Sequence, residues 1–287
     1  MNLLILEAVE TGAPIPRNDR RYEHVKKVLK KAPGDRLAAG IAVDEPFAPA
    51  PGALGEAVVL SLGEKSLELG FEPFAGAAGD PEPLAPLRLI LGFPRPIQAN
   101  RIFKDLASLG AAEIHLVGTE LGEKSYLESD FFKLREWRRP LLEGAEQAGN
   151  PRLPRVRTHW SLARCLEALA DEGGAEEGGA EDGGAGGRAG PDWTAPGATA
   201  GGLEPRWRGG GLLALHPGPG APALGSLAGL RAPLSLAIGS ERGWTEAEVA
   251  RLEDAGFART ALGARILKTE TATLAATAIV LGKLGRM

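Results

Sequence analysis

The sequence predicts an α/β protein, a parallel sheet with helices on both faces, preceded by a smaller β-rich module. Three observations carry this reading. From residue 87 onward, short continuous apolar runs alternate with helix-period stretches, the pattern of parallel strands joined by crossover helices. Before residue 74 the runs are short or alternating and are separated by Pro and Gly. Between the two lies a Pro-rich link, "FAGAAGDPEPLAPL".

The first module, residues 1–75, offers four strand-like runs: "NLLILEAV", "RLAAGIAV", "EAVVLSLGE" and "SLELGFEP". Between the first two, Tyr22, Val25, Val28 and Leu29 fall at helical spacing in "NDRRYEHVKKVLKKAPGD". Asn18 or Asp19 caps the start of this helix, and Pro33-Gly34 ends it. A small barrel with one helix accounts for the module, with Tyr22 in its core.

The second module, residues 84–287, opens with a buried strand, "LRLILGF". The helix "IQANRIFKDLASLG" turns Ile102, Phe103, Leu106 and Leu109 inward and stops at Gly110. "EIHLVG" is the next strand. "DFFKLREWRRPLLEGAEQAG" is a helix bent or broken near Pro140. Residues 171–211 are Gly- and Ala-rich and hold almost no large aliphatic side chain. They bury too little surface to offset their ordering entropy and are expected to be a disordered insertion. "GLLALHPG" and "LSLAIGS" are strands. "TEAEVARLEDAG" is a helix whose Thr245 and Glu248 form a capping box. "ARTALG" is a short strand, and "ILKTETATLAATAIVLGKLG" is the last helix.

Composition removes several function classes. The single Cys165 excludes a disulfide framework. His24, His115, His159 and His216 lie far apart without metal-ligand spacing, so no metal is expected. No run reaches the roughly 18 apolar residues that cross a bilayer, and "MNLLILEAVETG" reads as a strand rather than a signal peptide. A cytoplasmic protein without a membrane partner is the expectation. The net charge of −4 is concentrated in residues 171–211, which hold eight acids and three bases; the remainder carries 29 acids and 30 bases. An anionic partner is thus compatible with the rest of the chain.

In a parallel sheet, ligands bind beyond the carboxyl ends of the strands. Three such ends are unusual here: "LHPG" from Leu215, "IGSERG" from Ile238, and "LGARILKTETA" from Leu262. In the second, Gly239 and Gly243 bracket Ser240, Glu241 and Arg242. The turn reads either as a ligand cradle or as an ordinary corner with a surface Arg–Glu pair. In the third, the final helix is expected to start almost at once, with Arg265 and Lys268 in its first turns. Cations there oppose the helix macrodipole, which hints at an outside anion; pairing with Glu270 is the alternative. Near the N-terminus, Arg17, Arg20, Arg21, Lys26, Lys27 and Lys30 crowd one stretch, either an RNA-phosphate patch or a solvated helix face.

"IGSERG-WTEAE" followed by "GF…ALGARILKTETA" resembles the signature of the RsmE family of SPOUT methyltransferases, usually I-G-P-E-G-G and then L-G-x-R-I-L-R-x-E-T-A. "LHPG" resembles that family's earlier ligand loop. "EGAEQAGNPRLP" resembles its E-Q-x-x-R helix end, and "RNDRRYEHVKKVL…GD" its N-terminal element. The resemblance spans nearly the whole chain outside the insertion. It implies a C-terminal SPOUT domain tied in a deep trefoil knot, behind an N-terminal PUA-like β-barrel. The implied reaction is methylation of uridine N3 in small-subunit rRNA, free or in the assembling subunit, by a homodimer using S-adenosylmethionine. The implied catalytic residues are Arg265, Lys268 and Glu270, with Glu270 accepting a proton or orienting Arg265. The implied cofactor wall comprises Leu215, His216, Pro217 and Gly218; Ile238, Gly239, Ser240, Glu241 and Gly243; and Leu262, Gly263, Ile266 and Leu267. Ser240, Arg242, Lys268 and Asn150 depart from the pattern, with Arg152 a substitute for the arginine missing at Asn150. Those departures motivate a second reading, an RNA-binding assembly factor on the same fold without catalysis.

Overall fold

The computed structural model describes residues 2–172, 210–218 and 220–287. Most of the 171–211 stretch lies outside the described residues; its ends do not, since 171–172 finish a helix and Gly211 opens a strand.

The first module is a five-stranded sheet. Its strands are β1 (Leu4–Leu6), β2 (Pro14–Pro16), β3 (Arg36–Ile41), β4 (Leu54–Leu62) and β5 (Ser66–Pro73), in the order β1-β3-β4-β5-β2. Only β1 and β3 pair in parallel. Alternation puts Ala57, Val59, Leu67 and Leu69 on one face, where they are buried with Leu4, Leu6, Ile15 and Leu37. Helix α1 (Arg20–Glu23) starts at Asp19, whose carboxylate accepts the Arg21 amide at 2.8 Å. Tyr22 is core, its hydroxyl donating to the Gly63 carbonyl at 2.7 Å. The predicted inward stripe stops at Val25, because Val28 is 66% exposed and Leu29 is also exposed. After α1 the chain widens into a π-helical turn over His24–Val28 and ends at Lys30 with φ +49°. The wider turn lags the 3.6-residue period and swings Val28 away from the core.

The second module is a six-stranded sheet. Its strands are β6 (Ala85–Gly92), β7 (Ala111–Val117), β8 (Arg155–His159), β9 (Gly211–Leu215), β10 (Leu234–Ile238) and β11 (Ala258–Thr260), in the order β11-β9-β10-β6-β7-β8. Every pair in it is parallel. The chain builds outward through β6, β7 and β8, then crosses to lay β9, β10 and β11 on the other side of β6. The strand order therefore reverses beside β10, the position where parallel sheets open a crevice. Helices α2 (Pro96–Leu109), α4 (Arg138–Ala148) and α7 (Thr269–Lys283) bury Ala99, Phe103, Leu141 and Ala276 on one face. Helices α5 (Leu162–Glu172) and α6 (Glu246–Asp254) bury Leu162, Cys165, Val249 and Leu252 on the other.

Three elements that the sequence predicts in the second module differ in their bounds. The helix expected to bend or break near Pro140 is two, α3 (Asp130–Lys133) and α4, but the break falls at Arg135 with φ +55°. Pro140 sits in the first turn of α4, where its missing N–H costs nothing. Strand β11 closes at Thr260, before Leu262. Helix α7 begins at Thr269 with Lys268 as its N-cap, so Arg265 lies outside it in exposed irregular chain.

The two modules are clipped together by arginines. Arg152, 1% exposed, donates to the carbonyls of Pro81, Glu45 and Ala48 at 3.0, 2.8 and 2.7 Å and to Asp80 at 3.1 Å. Asn150 receives the Arg152 amide and donates to the Glu82 carbonyl. The Arg152 guanidinium, the offered substitute for the motif arginine missing at Asn150, is thus engaged in holding the link. Arg138 on α4 bridges Glu7 and Asp44, both at 2.7 Å.

Candidate active site

Strands β9, β10 and β11 are neighbours and parallel, so the loops after them leave from one edge of the sheet. The connections among these loops are specific. The His216 amide donates to the Thr260 carbonyl at 3.0 Å. The Leu224 amide donates to Ala261, and the Ala261 amide to Pro222, at 2.7 and 3.0 Å. His216 Nε2 stands 3.3 Å from Glu246 at the start of α6. The loops following Leu215, Ile238 and Thr260 thus form one cluster.

The turn after Ile238 closes tightly on itself. Ser240 and Gly243 face each other, with the Gly243 amide on the Ser240 carbonyl at 2.8 Å. Gly243 has φ +76°, a left-handed conformation that favours glycine. A Cβ on Gly239 would lie 2.6 Å from the Gly243 carbonyl carbon. Turn closure itself accounts for both glycines. The turn is also moored outward. Ser240 Oγ accepts from Thr119 at 3.1 Å, and the Glu241 carboxylate accepts the Arg95 amide, just before α2, at 2.8 Å. Thr245 and Glu248 form the predicted capping box, and Glu120 ties Thr245 to Arg251. Glu241 is thus a strut between the turn and α2, while Arg242 is exposed.

Beyond Leu262 the chain is open. Leu262 packs on the core, whereas residues 263–268 are exposed and Ile266 is 95% exposed. Ile266 and Leu267 do not line an enclosed wall. None of the amides from Gly263 to Lys268 donates to another main-chain group among the described residues. Glu270 is half-buried and faces Arg101 of α2 at 3.7 Å, rather than Arg265. Burial, and then the charge of Glu270, push the Asp105 carboxyl up from its ordinary range. The sequence reading did not pick out Arg101; its spacing of four from Asp105 on α2, beside the final helix, was the available signal.

This edge offers a small ligand apolar surface beside unmatched polar groups. Leu215, Ile238 and Leu262 supply apolar wall, and the amides of 263–268 supply donors. The buried Gln98 Oε1, on the first turn of α2, has no hydrogen-bond partner among the described residues and supplies an acceptor.

The basic N-terminal stretch divides in two. Arg21 is committed within the chain, bonded to Glu10 and Asp19 at 2.7 and 2.8 Å. Arg20 pairs with Glu146 of α4. Lys26 donates to the Tyr22 hydroxyl at 2.7 Å, and Lys27 forms an exposed pair with Glu23. Arg17 and Lys30 are exposed.

A family model described as an RNA methyltransferase domain matches residues 80–176 and 212–281. The ribosomal RNA small subunit methyltransferase E of Treponema pallidum is 34% identical over 286 residues, covering 98% of this chain and 91% of that one. Ribosomal RNA small subunit methyltransferase E 1 of Borreliella burgdorferi is 34% identical over 173 residues, 60% of this chain and 67% of that one. Among solved structures, a probable rRNA-methyltransferase from Porphyromonas gingivalis superposes with a TM-score of 0.65 at 17% identity, covering 99% of both chains. The S-adenosyl methionine complex of ribosomal RNA small subunit methyltransferase E from Neisseria gonorrhoeae superposes at 0.61 and 20% identity, covering 99% of this chain and 98% of that one. These two likenesses establish a shared α/β fold.

Proposed function

Since the chain belongs to the ribosomal RNA small subunit methyltransferase E family, and is thereby an rRNA methyltransferase, we propose that it moves a methyl group from S-adenosylmethionine to N3 of a uridine in small-subunit rRNA. The observation that carries the site assignment is the meeting of the loops after β9, β10 and β11 at one sheet edge, beside the reversal of strand order.

The cofactor, when bound, supplies an electrophilic methyl on a sulfonium. The chain's own part is to hold the ring nitrogen in line and to stabilise the charge that develops as the N3 proton leaves. Arg265, exposed and outside any helix, is the candidate donor to a ring carbonyl. Lys268 follows as a point charge at the N-cap of α7. Glu270, held by Arg101 and sharing its field with Asp105, is the proton acceptor this edge offers. Leu215 to Gly218, Ile238 to Glu241 with Gly243, and Leu262 with Gly263 border the cofactor, Glu241 acting through its hold on α2.

The same reading makes residues 1–75 a PUA-like RNA-binding barrel and 84–287 a SPOUT domain with a deep trefoil knot. The passage of residue 261 along residues 222–224, and the Lys283 bond to the Leu227 carbonyl, support such threading. Ile97 and Ile266, both largely exposed, support burial in a homodimer. No helix among the described residues is long and apolar enough to cross a membrane, in keeping with a cytoplasmic site of action on the assembling small subunit. The test is transfer of labelled methyl from S-adenosylmethionine to the small subunit or its rRNA, followed by nucleoside analysis. Label in 3-methyluridine supports the proposal; label in another nucleoside, or none, contradicts it.

A further inference from the structure

Strands β7 and β8 turn polar side chains toward α5, on the face of the sheet opposite α2 and α7. His115 and Cys165 are fully buried there, and His159 is partly exposed at the end of β8. His159 Nε2 stands 3.1 Å from His115 Nδ1, and Cys165 Sγ stands 3.8 Å from the same nitrogen. All three donor atoms lie within 4.8 Å of one another. Around a tetrahedral ion with metal–nitrogen bonds of about 2.0 Å and a metal–sulfur bond of about 2.3 Å, donors are separated by roughly 3.3–3.6 Å. The two sides that meet at His115 Nδ1, 3.1 and 3.8 Å, are close to that size.

The surroundings are also those of a ligand histidine. His115 Nε2 is 3.3 Å from Glu113 Oε2, and Glu113 is held in turn by Arg88 at 2.8 Å and Arg155 at 3.4 Å. A carboxylate on Nε2 fixes the ring proton there and leaves the Nδ1 lone pair directed at His159 and Cys165. Sequence spacing hides the group, since its members come from β7, β8 and α5.

We propose that His115 Nδ1, His159 Nε2 and Cys165 Sγ form a three-ligand site for a thiophilic d10 metal ion, Cu(I) or Zn(II). On binding, the metal–sulfur bond replaces the S–H bond and one proton leaves to solvent. His159, partly exposed, moves its own proton from Nε2 to Nδ1. The thiolate cancels the whole charge of Cu(I) but half that of Zn(II). With Arg88, Arg155 and Arg157 nearby, the neutral pair is the cheaper one to bury, so Cu(I) binds more tightly.

The test uses the untagged full-length chain, prepared without oxygen and equilibrated with Cu(I) or Zn(II) against a graded chelator. Bound metal is counted by elemental mass spectrometry. The proposal expects one equivalent per chain, about one proton released, and a near-ultraviolet thiolate-to-copper band. Cys165→Ala and His159→Gln each weaken binding by at least about 100-fold, beyond what loss of an outer-shell partner does. Circular dichroism checks that each variant is folded, and the partly exposed His159 provides a second variant if the core substitution fails. Failure of the parent chain to retain an equivalent of either ion overturns the site and leaves the histidines as a hydrogen-bonded core pair. Equal retention by folded variants overturns it as well. Neither result bears on methyl transfer at the opposite half of the sheet.

Discussion

The β6-β7-β8 half of the large sheet and its β11-β9-β10 half handle polar groups in opposite ways. In the first, Arg88, Glu113 and His115 are inside the protein and satisfy one another across neighbouring strands. Burial alone would raise the Glu113 carboxyl, but His115 and Arg88 bring it down to about 2; burial brings His115 down to about 4 against the pull of Glu113. In the second half, Arg265 and Lys268 are outside the core, and the amides of 263–268 have no main-chain acceptor among the described residues. A buried polar network fixes structure because each member is costly to leave alone. An exposed one is available to a ligand because its members are not yet matched.

Mutations sharpen the contrast, beginning with the largest effect. Glu113→Ala removes the buried carboxylate that Arg88, His115 and Arg155 share, and is expected to cost about 3 kcal/mol in chemical denaturation. Arg265→Ala, in the other half, is expected to lower methyl transfer about 100-fold or more while leaving the unfolding midpoint in place. A reversed outcome, with Glu113→Ala harmless to stability and Arg265→Ala unfolding the chain, would break the comparison.

The N-terminal bases divide along the same line. Arg21→Ala is expected to reduce stability, and Arg17→Ala or Lys30→Ala to leave it unchanged. Each of the latter two is expected to reduce the log–log salt slope of RNA binding by about 0.7 to 0.9. The Arg21 cluster also sets a pH dependence. Burial pushes Glu10 and Asp19 upward, but Arg21 prevails and holds both below their ordinary values of 4.5 and 3.8. Depressed carboxyls contribute stability that is full above those values and is lost as pH falls through the folded ones. Below pH 4.5 the denaturation midpoint is therefore expected to fall, and Arg21→Ala is expected to flatten that fall. The smallest effect is at the cap of α6, where Thr245→Ala is expected to cost about 1 kcal/mol.

Sequence pattern made the fold legible wherever apolar runs are pure. β6, β7, β9 and β10 follow from "LRLILGF", "EIHLVG", "GLLALHPG" and "LSLAIGS" because central parallel strands are apolar on both faces. β8 was not legible, since "RVRTH" is an edge strand whose polar face joins the Glu113 network. α5 follows it and was missed with it. The candidate site loops stood out through their glycines and bases, but their partners did not. Glu241 bonds Arg95, 146 residues away, and Glu270 faces Arg101 rather than its neighbour Arg265. Such pairings are made by strand order and helix packing, which no local window contains.

The most direct measurement is nucleoside mass spectrometry of small-subunit rRNA from cells lacking this gene, complemented with the parent chain or with Arg265→Ala. The account predicts that 3-methyluridine disappears in the deletion, returns with the parent chain and stays absent with the variant. An unchanged 3-methyluridine level in the deletion, or full restoration by Arg265→Ala, would contradict it.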